Sequence, residues 1–561
     1  MMYKNWFIKA PNPQLQKELS QALKIHPVIA QVLINRNVRS IQEAQDFLSG
    51  DLSRLHDPFL LKDMTVAVER IKKAARDKER VLIFGDYDVD GVTSSVLLRR
   101  VLNRLGIEVE HYIPHRLKEG YGLNHNVIED AAAKGVSLLI SVDCGIGAFA
   151  EVGALNQAGI DVIIIDHHEP SHGRLPEAVA IINPKRADCA YPFKSLASVG
   201  LVFKLSQALL GEVNEEALEL AALGTVADVA ELTGENRILA REGVDKINHT
   251  KNMGLKALIE VARIKDKKMS ARFISFILGP RINASGRITS AAESLNLLLS
   301  ENFEEAYLLA KNLEEVNTQR QKTQNTIIGE ALAMVEREIN FKEHNVIVIG
   351  GEGWHRGVLG IVAARILETY YRPTIVLSFE DGIGVGSARS VEGFHLFQAL
   401  TQCSDLLENF GGHEHAAGLT ITRENFNAFR EVINVHAKKV MTAEHLIPSL
   451  ELDAEVNLSS LNRDLAETME SIGPFGEGNP VPHFCSRRLK VKTAPVVLGR
   501  DTIKFWVSDG RMTVSAVGFG MGKFQDVVAK SREVDLAYSL TLDDWNKEPI
   551  LQLKLKDIKV V

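Results

Sequence analysis

Three short runs, apolar except for Ser141, residues 81–84 (VLIF), 138–142 (LLISV) and 162–165 (VIII), are separated by stretches of helical periodicity, and this pattern most narrows the folds open to the chain. A strand with no polar alternation must be covered on both faces. Helices supply that cover when they connect parallel neighbours, so the runs predict an α/β fold built on a parallel sheet. In open sheets of this kind ligands gather in the crevice outside the carboxyl ends of the strands. Each run leads directly into acid there: residues 81–84 into GDYDVDG with Asp86, Asp88 and Asp90, residues 138–142 into Asp143, and residues 162–165 into Asp166, His167 and His168.

Residues two apart in an extended segment face the same way, so Asp86, Asp88 and Asp90 can point together. Carboxylates crowded beside a low-dielectric sheet take up protons unless cations neutralise them. Two divalent ions supply that charge, and oxygen ligands mixed with imidazole suit Mn²⁺ or Mg²⁺. Asp-Gly turns and helix caps also follow strands without chemical purpose. A cap, however, requires neither His167 nor a third aspartate.

At 561 residues the chain exceeds one hydrophobic core, and its 45% hydrophobic and 24% charged content marks globular material rather than a disordered, fibrous or membrane-embedded chain. The N-terminus lacks a secretory apolar run and no later stretch could span a bilayer, so a cytoplasmic protein with no membrane partner is expected. Cys144, Cys189, Cys403 and Cys485 form no CxxC pair and read as structural thiols. A net charge of -7 argues against a simple electrostatic DNA binder, so nucleic acid must be met by local basic patches.

The chain divides on this reading into an N-terminal helical segment (1–70) of open role, a catalytic domain (71–300), a long connecting helix (301–342), a second α/β domain (343–445) and a small β-barrel (446–561). The connecting helix rests on Phe303, Ala306, Leu309, Leu313 and Val316, continued by Ile328, Ala331, Val335 and Ile339. The barrel rests on Leu551, Leu553 and Leu555 alternating with Gln552, Lys554 and Lys556.

The sequences GDYDVDGVTSS, SVDCG, DHH and GTVADV resemble the first four motifs of the DHH phosphoesterase superfamily. EGYGLN, GPRINASGR, GWHRGVLGIVAARI, GSARS, GGHEHAAG and the terminal barrel narrow the resemblance to the RecJ single-stranded-DNA exonucleases, from about residue 30 to the end. The resemblance implies a DHH catalytic domain, a DHHA1 domain and an OB-fold. It further implies 5′-to-3′ hydrolysis to 5′-mononucleotides in recombination and repair, with single-stranded DNA as substrate and a RecQ-type helicase and a single-strand-binding protein as partners. Carried over residue by residue, it puts Asp90, Asp143, His167 and Asp228 around one ion and Asp88 with a bridging Asp143 around the other. Asp86 supports that second ion, His168 contacts the scissile phosphate and aids leaving-group departure, and Asp166 orients an imidazole. Many superfamily members carry a histidine ligand four residues before the equivalent of Asp88, where this chain has Phe84; a weakly held or substrate-dependent second ion is expected.

Glycines in GPRINASGR, GSARS and GGHEHAAG let backbone amides approach an anion, and Arg281, Ser387 and Arg389 add donors. A surface ion pair or tight turn explains any one of these equally well. The resemblance assigns Arg281, Asn283, Ser387, Arg389, His413 and His415 to substrate binding, with phosphate contact preferred over metal for the two histidines. Arg116 and Tyr121 resemble residues that guide the strand, the ring being able to stack on a base. Arg487, Arg488, Lys490 and Lys492 ahead of Phe505 and Trp506 suit an OB-fold on single strands, although Phe505 is equally suited to a core. Two alternatives stay open: a DHH phosphoesterase acting on short oligonucleotides or cyclic dinucleotides, and a catalytically silent replication scaffold.

Overall fold

The computed structural model describes residues 4–120, 122–170, 173–499, 501–543 and 549–560. After a short strand β1 (Asn5–Ile8) come three helices, Pro13–Leu23, Pro27–Asn35 and Ile41–Ser49. Each starts where a side chain accepts a hydrogen bond from a first-turn amide: Asn12 from Leu15, His26 from Val28, Ser40 from Glu43. The middle helix is buried from Val28 through Ile34. Ile29, Val32 and Leu33 share one core with Leu465, Phe484, Leu536 and Tyr538 of the C-terminal region. The N-terminal helices, of open role in the sequence, are therefore packing partners of the barrel.

The catalytic sheet is formed by β2 (Val81–Gly85), β3 (Val109–Tyr112), β4 (Leu138–Val142), β5 (Asp161–Ile165) and β6 (Ala180–Ile182). All pairs are parallel and the order is β3-β2-β4-β5-β6. Alternate side chains enter two cores, with Ile83 and Ile140 on one face and Leu82, Phe84 and Leu139 on the other. After β2 the chain passes to β3 and then returns to β4 on the opposite side, so the winding reverses between β2 and β4. That switch point is where an open α/β sheet leaves a crevice.

The helix Phe303–Glu338 runs 36 residues, about 54 Å at the α-helical rise. Ala306, Ala310 and Leu313 of its first half join the catalytic core, while Ile327, Ala331 and Val335 of its second half join the core of the next domain. There, β7 (Ile347–Glu352), β8 (Thr374–Glu380), β9 (Ile383–Arg389), β10 (Asn409–Gly412) and β11 (Ala416–Thr422) lie in the order β10-β11-β9-β8-β7. Within this α/β domain only β7 and β8 pair in parallel. The direction reverses at Asp381 and Gly382, both at positive φ between the paired Glu380 and Ile383, which is the geometry of a two-residue hairpin.

In the C-terminal region β12 (Ser449–Leu452) pairs with β1. It is followed by β13 (Ala454–Glu455), β14 (Phe484–Val491), β15 (Val496–Leu498), β16 (Thr502–Ser508), β17 (Thr513–Phe519), β18 (Glu533–Asp543) and β19 (Ile550–Val560). The order β13-β14-β18-β19-β17-β16-β15 with an added β14–β16 pairing closes a ring, the barrel expected. Phe505 lies inside it, 1% exposed, so of its two readings the core one holds. Arg487 and Arg488 are paired with Glu455 and Glu533, so part of the basic run is neutralised. Among the described residues no helix is long and apolar enough to cross a membrane.

Candidate metal centre and active site

β2 ends at Gly85, and the chain turns through Asp86, Tyr87 and Asp88 into the helix Val89–Arg104. Asp88 caps that helix, its Oδ1 accepting from the amides of Asp90 (2.9 Å) and Gly91 (3.1 Å). A side chain at Gly91 would overlap the carbonyl oxygen of Asp86, so the tight DVDG turn requires glycine at that place. Asp90, fully buried, points across to the start of the helix Ser198–Leu210 and accepts from the amides of Ser198 and Val199, both at 2.8 Å. Those amides and the helix dipole favour an anion.

Asp143 follows β4 at a φ of 64°, a left-handed conformation that aspartate tolerates better than most residues. Its amide donates to the carbonyl of Ile165 (2.9 Å), tying the β4 and β5 loops together. His167 Nε2 lies 3.3 Å from Asp143 Oδ1 and 3.8 Å from Asp228 Oδ2. Asp228 arrives on the end of the helix Leu218–Ala227. That helix packs on Asp90 through Gly224, where an added Cβ would overlap Thr93 Oγ1 and lie 3.0 Å from Asp90 Oδ1.

Two ligand sets result, each with its donor atoms within 4.8 Å of one another: Asp90, His167 and Asp228, and Asp86, Asp88 and Asp143. His168 joins Asp143 and His167 in a third such set. Burial, then Asp88, pushes Asp86 up to about 8, and the same two causes push Asp228 up to about 7. Burial together with Asp228 raises Asp90 well above the carboxylate range, and burial together with Asp90 does the same to Asp143. Carboxylates so crowded take up protons unless cations neutralise them. Asp86 Oδ1 and His167 Nε2 are buried with no hydrogen-bond partner among the described residues. Burial, and secondarily the charge of His168, holds His167 down at about 3, so it is a neutral imidazole, the form that ligates metal. The donor set fits a pair of divalent cations.

His168 differs from its neighbour. Its Nδ1 lies 2.7 Å from Asp166 Oδ1, and Asp166 also accepts from the amides of His168 and Ile146. Burial opposes charge on His168, but the hydrogen bond and charge of Asp166 outweigh it and raise its pKa. Asp166 thus orients His168 rather than His167. Phe84 is fully buried and stacks on Tyr112 at 5.7 Å, so that position turns into the core and offers no ligand.

The cleft over these groups measures about 340 Å³ and is lined on its other side by Arg116, Asn283 and Arg287. Arg116 lies over the Tyr87 ring at 4.9 Å. Asn283 accepts from the Val89 amide (3.1 Å), bracing the helix that carries Asp90. Arg287, which the sequence reading passed over, is half-buried, is lowered to about 10 by desolvation and then by Arg116, and donates to Gly357 O (3.3 Å) across the seam to the second domain. It stands four residues after Asn283 and so shares its helix face, a spacing visible in GPRINASGR. Arg281 is off that face, outside the cleft lining, and pairs with Glu314 at 2.5 Å. Ser387 and Arg389 sit on β9, the Arg389 guanidinium donating to Ser387 Oγ (3.2 Å); burial and then Arg116 lower its pKa. His413 and His415 are exposed between β10 and β11 and belong to none of these ligand sets. Tyr121 lies outside the described residues.

The chain is similar to known proteins along nearly its whole length. Residues 80–225 match the DHH family N-terminal domain, residues 343–439 the DHHA1 domain and residues 452–557 the RecJ OB domain. The single-stranded-DNA-specific exonuclease RecJ of Bacillus subtilis is 38% identical over 99% of this chain and 71% of its own length. The RecJ of Dickeya dadantii is 34% identical over 97% of this chain and 98% of its own. Among solved structures, Thermus thermophilus RecJ in complex with Mn²⁺ superposes with a TM-score of 0.85 at 29% identity, covering 99% of this chain and 80% of that one. Its Mg²⁺ complex gives 0.79 at 27% identity over 99% and 78%. A shared domain set and full-length identity above 30% place this chain in the RecJ family of single-stranded-DNA-specific exonucleases.

Proposed function

We propose that the chain is a divalent-metal-dependent exonuclease that degrades single-stranded DNA from its 5′ end, releasing 5′-mononucleotides. The observation that carries this is the pairing of two carboxylate-rich ligand sets sharing one cleft with Arg116 and Arg287. Asp90, Asp143, His167 and Asp228 would hold one ion, and Asp86, Asp88 and Asp143 the other. When bound, paired divalent ions activate water for in-line attack and screen the phosphodiester charge. Asp90 keeps its carboxylate in place through two helix-terminal amides. Neutral His167 presents Nε2 as an electron-pair donor. His168, oriented through Nδ1 by Asp166, would donate a proton from Nε2 to the leaving oxygen. Arg116, Arg287 and Arg389 bind phosphate oxygens, the last two from either side of the seam between domains.

Polarity follows the family resemblance. The barrel and the N-terminal helices packed on it extend the molecule past a two-domain phosphoesterase and favour a polymer over a dinucleotide. We take the protein to act in the cytoplasm in recombination and repair, receiving strands from a RecQ-type helicase and a single-strand-binding protein. Single-stranded DNA labelled at either end, with duplex and RNA controls, in Mn²⁺ or Mg²⁺, tests the reading. Immediate release of 5′-labelled mononucleotide is expected; first release of the 3′ label, or preference for dinucleotides over long strands, refutes it.

A further inference from the structure

A second cleft of about 380 Å³, sharing no lining residue with the catalytic one, lies between the N-terminal helix Ile41–Ser49 and the catalytic-domain helix Gly234–Asn248. Arg237 is central to it and only 4% exposed. Its Nε donates to Phe47 O (2.9 Å), its Nη2 to Gly473 O (2.8 Å), and its guanidinium covers the Phe47 ring at 4.0 Å. Nη1 is buried with no hydrogen-bond partner among the described residues. Arg241 brings a second, half-buried guanidinium to the same wall, its Nη1 donating to Leu48 O (2.6 Å) and its Nε 3.9 Å from Glu242 Oε1.

The acids lining this cleft are engaged. Glu235 accepts from Lys204 (3.1 Å), the Tyr191 hydroxyl (2.6 Å) and the His56 amide (2.9 Å). Asp46 pairs with Arg54 (2.9 Å), and Glu43 accepts from the Arg39 amide (2.6 Å). The opening residues of the second helix, Gly234 and Glu235, also line the cleft, and Thr233 before them makes no side-chain cap. The positive end of a 15-residue helix therefore adds to the two arginines. Burial, and then Arg241, pulls Arg237 down to about 9, the signature of a cation short of a counter-charge.

We infer that this cleft binds a phosphate-bearing anion through Arg237 and Arg241, separately from the catalytic centre. The phosphate comes from a free nucleotide or from the backbone of a bound strand. Since Arg237 already joins Phe47 to Gly473, an anion seated on it would brace the N-terminal helices and the approach to the barrel against the catalytic domain.

Calorimetry and thermal melts of the full chain in EDTA, with inorganic phosphate, dAMP and a 5′-phosphorylated oligonucleotide as probes, test this without any hydrolysis, so the result is independent of the nuclease reading. With a free source, one equivalent of phosphate or dAMP binds saturably and raises the melting temperature. Affinity then falls at least tenfold in Arg237→Gln and Arg241→Gln and is unchanged in Asp143→Asn. With a strand as source, only the oligonucleotide binds in this arginine-dependent way, and its salt slope drops by about one in Arg241→Gln. Arg237→Gln loses two backbone contacts and can fail to fold; the half-buried Arg241→Gln keeps the test sharp. Absence of saturable binding by every probe, or unchanged affinity in a normally melting Arg241→Gln, overturns the inference.

Discussion

Gly224→Ala tests whether the catalytic cluster is held by packing as well as by ligand chemistry. The added Cβ overlaps Thr93 Oγ1, lies 2.8 Å from Val199 Cγ1 and lies 3.0 Å from Asp90 Oδ1. All three neighbours are buried, so the helix Leu218–Ala227 must move back or Asp90 must yield a few tenths of an ångström. Overpacking of this kind costs about 1–3 kcal/mol. A 1 Å misplacement in an active site lowers rate on the order of 10²-fold, so a few tenths should lower kcat by roughly three- to tenfold. Urea unfolding and steady-state turnover on single-stranded DNA with Mn²⁺ read the two effects. Thr93→Ala removes the nearest obstacle at the loss of the Thr93 hydroxyl bond to Val89 O (2.7 Å). In that background the Gly224→Ala penalty should shrink, a coupling of about 1 kcal/mol in the double-mutant cycle. Full activity in Gly224→Ala, or additivity within about 0.3 kcal/mol, would show that the fit of this helix against Asp90 is not what holds the cluster.

Asp143→Ala is expected to abolish cleavage while far-UV circular dichroism stays that of the wild type; retained turnover removes Asp143 from both ligand sets. Arg287→Ala loses a charged donor in the cleft and the tie to Gly357 O, worth about 1.5–3 kcal/mol for a charged hydrogen bond. It should therefore reduce kcat/KM about tenfold or more, and a larger loss in Arg281→Ala than in Arg287→Ala refutes the division between them. Burial and then Lys556 push His483 down to about 4 from an ordinary 6.5. A base lowered on folding contributes stability that is full above the ordinary value and lost as pH falls from 6.5 towards 4, because the unfolded chain takes up the proton first. Acid urea titrations of His483→Gln should lack that part of the loss, and an unchanged slope between those pH values contradicts the reading.

What was legible in the sequence was whatever a short stretch encodes by itself. The strands 81–85, 138–142 and 161–165 announce burial on both faces, and the acids follow them within a few residues, so sheet and ligand sets could be read together. The remainder depends on contacts no local window contains. The N-terminal helices meet the barrel across more than four hundred residues, as in Asn35 to Asp453, and their apolar VIAQVLI stretch states only that a partner exists. In the second domain the DG at Asp381 and Gly382 was a readable hairpin signal, obscured by the apolar runs on either side that also suit parallel strands.

GPRINASGR shows how a motif can be recognised while its orientation is not. At about 100° per residue, Arg281 and Arg287 lie well apart around the helix Gly279–Ile288, whereas Asn283 and Arg287 share a face. The sequence offers two arginines of equal chemistry; helix phase separates them, and Glu314 on the long helix pairs with the one turned from the cleft. The other is left at the seam, with its own carbonyl so close to Gly357 that a Cβ there would lie at 2.5 Å. The same residue thus lines the catalytic cleft and abuts the second domain at Gly357. Substitution at Gly357 should therefore disturb substrate binding from a distance, through Arg287, without touching any metal ligand.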